Sequence, residues 1–298
     1  MAMQKNIDHR RGFFVKHGGF AALLVMVAFF LPGCASLVIP PMVGPVVKNL
    51  NHQADLELVC DGAPSYLLLL DSLLVSDPDS ARLLLHGTQA YTAYASLMPE
   101  CGRPERAVVL GERAKAYGQR LLGTHQSLAG AVSMPLAGFS EALQSVGPGE
   151  VEKLFWGGYS WAVWIGFSQG APAAVADLPK VEQLMLRVLA LDEAFYHGGA
   201  HLFLGIYYGS RPVMLGGRPE ISLAHFEKAL ALGERRFLPT LVAYAEYYAR
   251  QTLDRELYVR LLEEALAFDL ALAPDLTLPN VLAKRRAQRL LAQVEDVF

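Results

Sequence analysis

The run Gly166-Phe167-Ser168-Gln169-Gly170 has the G-x-S-x-G spacing that, between a strand and a helix, raises a serine hydroxyl for attack on an ester. The acid and base of a triad would have to come from Asp177 or Asp192 and from His197, His201 or His225. The flanks argue against it. The segment before Ser168 carries helical periodicity, and no other stretch alternates like the strands a parallel sheet would need. Ser168 is therefore expected to end a helix, with a serine esterase at Ser168 as a distant alternative. His197 and His201 stand four residues apart, the spacing of a two-histidine metal site on one helix face. Gly198 occupies the place of the glutamate in H-E-x-x-H, however, and no carboxylate follows at a useful interval. Structural histidines at a helix start are the expectation. Gly216 and Gly217 lack the lysine-serine or lysine-threonine pair of a phosphate loop and serve a turn. No catalytic residue, metal or cofactor is expected.

Binding chemistry has better candidates. Between Leu154 and Phe167 the sequence is apolar all round. On a helical wheel Leu154, Gly158, Trp161 and Ile165 share one side, with Trp164 at the margin. Phe155, Trp156, Tyr159, Val163 and Phe167 occupy the other. Such a helix is normally buried on both sides. Alternatively, its second face lines an apolar pocket or channel for a carboxylate or hydrophobic ligand. A further row, Tyr207, Tyr208 and Arg211, then Tyr244, Tyr247 and Tyr248, combines large contact area with polar tips, which suits either binding or packing. The candidate ligand or partner residues are Phe155, Trp156, Tyr159, Tyr207, Tyr208, Arg211 and Tyr247.

These residues need a scaffold, and from about residue 55 onward apolar positions recur at three and four. Turns such as Asp77-Pro78-Asp79-Ser80 and Gly147-Pro148-Gly149 punctuate them. The spacing predicts helices over 64–76, 80–98, 104–122, 150–167, 177–194, 199–211, 219–232, 239–251, 254–269 and 279–296, an all-α fold. Every second helix repeats a pattern whose alignable positions fall at Val188, Ala229 and Ala265, intervals of 41 and 36 residues. First helices contribute Leu204-Gly205-x2-Tyr208 and Tyr244-Ala245-x2-Tyr248, where a small residue admits a close neighbour and an aromatic fills the groove. These are landmarks of a tetratricopeptide-like hairpin, whose units cannot cover their own apolar faces and must stack into a solenoid. About four irregular repeats closed by a C-terminal helix are expected over 55–298.

The N-terminus determines where that solenoid works. Lys5, Arg10, Arg11 and Lys16 precede an apolar run from Phe20 to Leu31, the order of charges and length of a secretory signal rather than a membrane span. The run ends in Leu31-Pro32-Gly33-Cys34, similar to the lipobox at which a diacylated cysteine becomes the first residue. The expected organisation is a signal peptide over 1–33, a Pro-rich lipidated tether over 34–54 and the helical domain thereafter. Ala35 follows the cysteine where aspartate would favour inner-membrane retention, so attachment to the outer membrane, facing the periplasm, is expected. Cys60 and Cys101 remain; an oxidising compartment permits a bridge, and two buried free thiols are the other outcome. A net charge of −3 with 18% charged residues supplies no basic field for nucleic acid.

Several runs together make the chain resemble one family: Glu57-Leu58-Val59-Cys60-Asp61-Gly62-Ala63-Pro64, Phe155-Trp156-Gly157-Gly158, Tyr196-His197-Gly198-Gly199-Ala200-His201, Leu215-Gly216-Gly217-Arg218-Pro219, Ala245-Glu246-Tyr247-Tyr248-Ala249 and Asn280-x2-Ala283-Lys284. It resembles the T-component of TRAP transporters, periplasmic lipoproteins that accompany the solute-binding subunit. Cys60 departs from the polar residue usual in the first of those runs. The resemblance implies a scaffold that binds the solute-binding subunit, with a small solute and a second copy of the chain as further candidate partners. A lipoprotein scaffold for envelope assembly, using the same concave face on a different protein, is the rival binding role.

Overall fold

The computed structural model describes Val46 and residues 49–298, so the signal peptide, the lipobox and Cys34 lie outside the described residues. Every described element is a helix or helical turn, and the helices pack in a helical-repeat arrangement. Helix α1 (Leu56–Ser76) is capped by Asp55, whose Oδ1 accepts from the Leu58 amide at 3.1 Å. Glu57 sits in its first turn, where the helix dipole favours negative charge. The expected start at residue 64 is thus eight residues late, because Pro64 lies inside the helix instead of opening it. An internal proline removes the N–H that would bond the carbonyl four residues back. The Tyr94 hydroxyl donates to that Cys60 carbonyl at 2.8 Å, so the freed acceptor keeps a partner. By length and composition α1 could cross a membrane; Val59, Leu67, Leu70 and Leu74 are buried in the fold, whereas Leu58, Leu68, Leu69 and Val75 are exposed.

Helices α2 (Ala81–Leu97) and α3 (Arg106–Gly123) form the first hairpin. A short helix α4 (Leu136–Gln144), absent from the sequence expectation, then inserts Phe139 and Leu143 into the central core. Hairpins follow from α5 (Val151–Phe167) with α6 (Pro172–Leu191), and from α7 (Phe195–Gly209) with α8 (Pro219–Leu232). The last pairs α9 (Pro239–Tyr244), continued by a π-helical turn Ala245–Ala249, with α10 (Arg255–Ala267). Cys60 and Cys101 are joined in a disulfide, with Cα atoms 5.8 Å apart, which pins α1 to the turn between α2 and α3.

Helix α11 (Thr277–Ala292) decides the overall form, followed only by the single turn α12 (Val294–Val297). Ala283 and Ala287 belong to the C-terminal apolar cluster, while Leu278, Val281 and Leu282 pack against the N-terminal one. Arg289 also donates to the Glu100 carboxylate at 2.8 Å, across most of the chain. The solenoid is therefore closed on itself, its last long helix touching its first hairpin. Asn280, fully buried, fastens α11 to the turn between α8 and α9: its Oδ1 accepts from the Leu238 amide at 3.0 Å and its Nδ2 donates to the Arg236 carbonyl at 2.9 Å. All three apolar clusters lie within Asn49–Phe298, so this unit carries its own core.

Candidate functional site

The two sides of helix α5 have different environments. On one side Trp161 is 1% exposed, and its indole Nε1 donates to Asp177 Oδ2 at 2.9 Å. Lys115 Nζ lies 3.1 Å from the same oxygen and 3.5 Å from the centre of the Trp164 ring. On the other side Tyr159 is only partly buried, yet burial by the surrounding protein pushes its hydroxyl pKa up, with Arg286 pulling in the opposite direction. Phe155 and Trp156 beside it are buried and form a closed wall: Phe155 stacks on Tyr159 at 5.7 Å and meets Trp156 edge-on at 5.4 Å.

The wall is completed by an unusual turn. At the start of α7, Tyr196 (φ 50, ψ 53), His197 (φ 58, ψ 34) and Gly198 (φ 72, ψ 30) are three successive residues in the left-handed region. Only glycine adopts it without penalty, so Tyr196 and His197 are held there at a cost of about 1–3 kcal/mol each, a strain that clusters at ligand sites. The turn swings the Tyr196 ring to 4.9 Å from Trp156 and 5.1 Å from Phe155. Gly199 makes this possible, since a Cβ there would stand 2.7 Å from the Phe155 ring. Tyr196 remains 37% exposed although burial raises the pKa of its hydroxyl. Tyr196 itself borders a cavity of about 430 Å³ that is also bounded by Asn51, His197, Arg236, Asp275 and Pro279.

A second backbone irregularity follows α9. The π turn, a form concentrated at functional sites, carries Glu246 and Tyr247. Arg286 of α11 donates to Glu246 Oε1 at 2.8 Å and lies 2.7 Å from its Oε2. The pKa of the guanidinium is raised, burial being outweighed by Glu246 and Tyr247. Burial raises the hydroxyl pKa values of Tyr159, Tyr196 and Tyr247; Arg286 opposes the shift at Tyr159 and Tyr247, and Glu246 reinforces it at Tyr247. Of these, Tyr196, Glu246 and Arg286 were not singled out as site residues from sequence. Tyr196 and Glu246 fall within runs that carry the family resemblance, whereas Arg286 was indistinguishable from the basic run around it.

Other sequence candidates lie elsewhere. Tyr207 and Tyr208 both donate to Glu182 of α6, and the Arg211 guanidinium stacks over Tyr207 at 4.4 Å, a cluster that fastens α7 to α6. Ser168 ends α5 and returns its hydroxyl to the Trp164 carbonyl at 2.6 Å, with no strand among the described residues to form a nucleophile elbow. His197 stacks on Phe237 at 5.4 Å, whereas His201 turns to α8, so the two do not share a site. No group of three or more metal-ligating side chains occurs among the described residues.

His201 instead pairs with His225, Nδ1 to Nδ1 at 2.7 Å, with its Nε2 3.0 Å from Glu193, which also meets Lys228 at 3.3 Å. Burial and the neighbouring His201 push the His225 pKa down to about 4, and burial lowers that of His201. A folded pKa below the unfolded value of about 6.5 means the unfolded chain takes up protons first as pH falls. The pair's contribution is full above about pH 6.5 and is lost on the way down to about pH 4, a change of about 2 kcal/mol. Thermal melts of wild type and His225→Gln at both pH values should show the variant losing less stability on acidification. Parallel losses would rule the pair out as the titrating element.

The described residues form an all-helical fold of packed hairpins in a helical-repeat arrangement. A family model described as the TRAP transporter T-component matches residues 52–298, and the chain belongs to that family, whose members are transporter components. No curated protein matches it significantly.

Proposed function

We propose that this T-component is an exported lipoprotein, acylated at Cys34 and facing the periplasm from the outer membrane. There it binds the solute-binding subunit of a TRAP transporter and takes a small solute into the central recess. The observation that carries the solute role is Tyr196: a strained left-handed turn keeps an aromatic side chain accessible between a polar cavity and the Phe155–Trp156–Tyr159 wall. Strain of that kind persists where the surrounding structure requires it. The role is binding and transfer, with no chemistry performed on the solute.

Two measurements test this reading. Cys34→Ser should release the protein from membranes and abolish acyl labelling while leaving the melt of the helical unit unchanged, because all three cores lie downstream. Acylation persisting in the variant would refute the anchor. Titration with a TRAP solute-binding subunit from the same source should show saturable binding; absence of binding by the purified partners would refute the docking role.

A further inference from the structure

We infer that the loop between α7 and α8 is a second membrane contact: Val213, Met214 and Leu215 enter the acyl boundary of a phospholipid bilayer while Arg211 and Arg218 meet its phosphates. The three apolar residues are consecutive and 69%, 95% and 69% exposed. Single exposed apolar side chains are ordinary on a protein surface, whereas an unbroken exposed run marks a contact.

The display is built into the backbone. Val213–Leu215 forms a 3-10 turn, with the Leu215 amide donating to the Pro212 carbonyl at 2.8 Å and the Gly216 amide to the Val213 carbonyl at 3.0 Å. At its base the Gly217 amide returns to the Pro212 carbonyl at 3.1 Å and the Arg218 amide to the Tyr208 carbonyl at 2.9 Å. Gly217 is required there, since a Cβ would overlap the Arg211 carbonyl oxygen. The amides of residues 215–218 are thus satisfied within the protein, which lowers the cost of moving the loop into a poorly hydrated layer.

Charge and shape select the occupant. Arg211 lies over the Tyr207 ring at 4.4 Å and Arg218 over the Tyr208 ring at 5.7 Å, and neither guanidinium pairs with a carboxylate among the described residues. Residues 210–218 include no acidic side chain; Glu182 is engaged by Tyr207 and Tyr208, and Glu220 belongs to the first turn of α8. Two unpaired cations on tyrosine rings beneath an apolar tip match the order of a bilayer interface, phosphates outside and acyl chains within. A 3-10 turn sets successive side chains about 120° apart, so the three point in different directions. A fluid phase covers all of them at once, whereas a flat protein surface covers one side. The bilayer is also within reach. Cys34, the acylation site proposed above, precedes Asn49 by about 15 residues, at most about 50 Å of chain. Asn51 borders the cavity at the start of α7, and the loop leaves the other end of that helix, about 22 Å away.

The inference rests on the chain being held at a bilayer, and the test supplies that hold without acylation. The chain from residue 35 onward, which contains the whole helical unit, is attached to phosphatidylcholine vesicles by an N-terminal histidine tag and a nickel-chelating lipid. Leu215→Cys, the one free thiol beside the Cys60–Cys101 disulfide, carries a polarity-sensitive fluorophore. Its emission should shift to the blue on the vesicles and be quenched by lipids brominated in the acyl chain. Met214→Asp should lower the inserted-to-free ratio about tenfold, Met214→Leu should keep it, and both should melt as the parent does. Phosphatidylglycerol should raise the ratio, and Arg218→Gln should remove about fivefold of that gain. Absence of shift and quenching on vesicles overturns the lipid contact and leaves the Cys34 anchor untouched, because the tag holds the chain there regardless. A shift in solution that grows with protein concentration makes a second copy the occupant, and one produced only by the solute-binding subunit makes that protein the occupant. Either overturns the inference.

Discussion

Trp161→Ala is expected to cost about 3–5 kcal/mol of stability, the usual range for truncating a buried aromatic. The ring is 1% exposed, and its removal leaves Asp177 and Lys115 without the indole that separates them from the core. For a domain of this size that is a drop of about 10 °C in Tm. Tyr159, two residues earlier on the same helix, should behave differently. Its ring stacks on Phe155 but faces the recess, so Tyr159→Ala should cost about 1 kcal/mol, while weakening binding of solute or partner more than Trp161→Ala does at a temperature where both remain folded. Thermal melts and one binding titration on the two variants measure this split. Equal melting losses with unchanged binding would make α5 a core helix on both sides and remove the recess as a site.

Removing the Cys60–Cys101 disulfide is expected to have the next largest effect. The bridged residues are 41 apart in sequence, and the chain-entropy model for a loop of that length gives about 4 kcal/mol, with measured losses of about 2–4 kcal/mol. Cys60 is buried in the N-terminal cluster, so the double variant Cys60→Ala/Cys101→Ala also loses packing between α1 and the rest. Wild-type protein melted with a thiol reductant should approach the variant, and the variant should be indifferent to reductant. A reductant-insensitive wild type would mean that the bridge contributes nothing. The bond survives only in an oxidising compartment, which supports the proposal of an exported protein.

Much of the fold was legible because helices report themselves locally. The three-and-four spacing and the turn residues act over a few residues, and most of the helices lie close to where that spacing put them. The exceptions have local causes of another kind. Pro64 reads as a helix start until Tyr94, thirty residues on, compensates its missing bond. Leu136–Gln144 is too short to show periodicity, and its Phe139 and Leu143 gain their stability from α6 rather than from their neighbours in sequence.

The site was half visible. The apolar surround of α5 pointed to Phe155, Trp156 and Tyr159, but a wheel cannot tell a face buried against another helix from one that borders a recess. That distinction depends on α11 returning to the first hairpin, a contact between Arg289 and Glu100 that spans 189 residues. The same return carries Arg286 to Glu246, and no run of residues near either announces the pair. Tyr196 and His197 are harder still, because tyrosine and histidine disfavour the left-handed region and only packing against Phe155, Trp156 and Phe237 holds them in it. Short-range chemistry specifies which segments are helical and which faces are apolar. Which apolar face stays open, and which charges meet across it, follows from closing the ring, where contacts distant in the chain outweigh local preference.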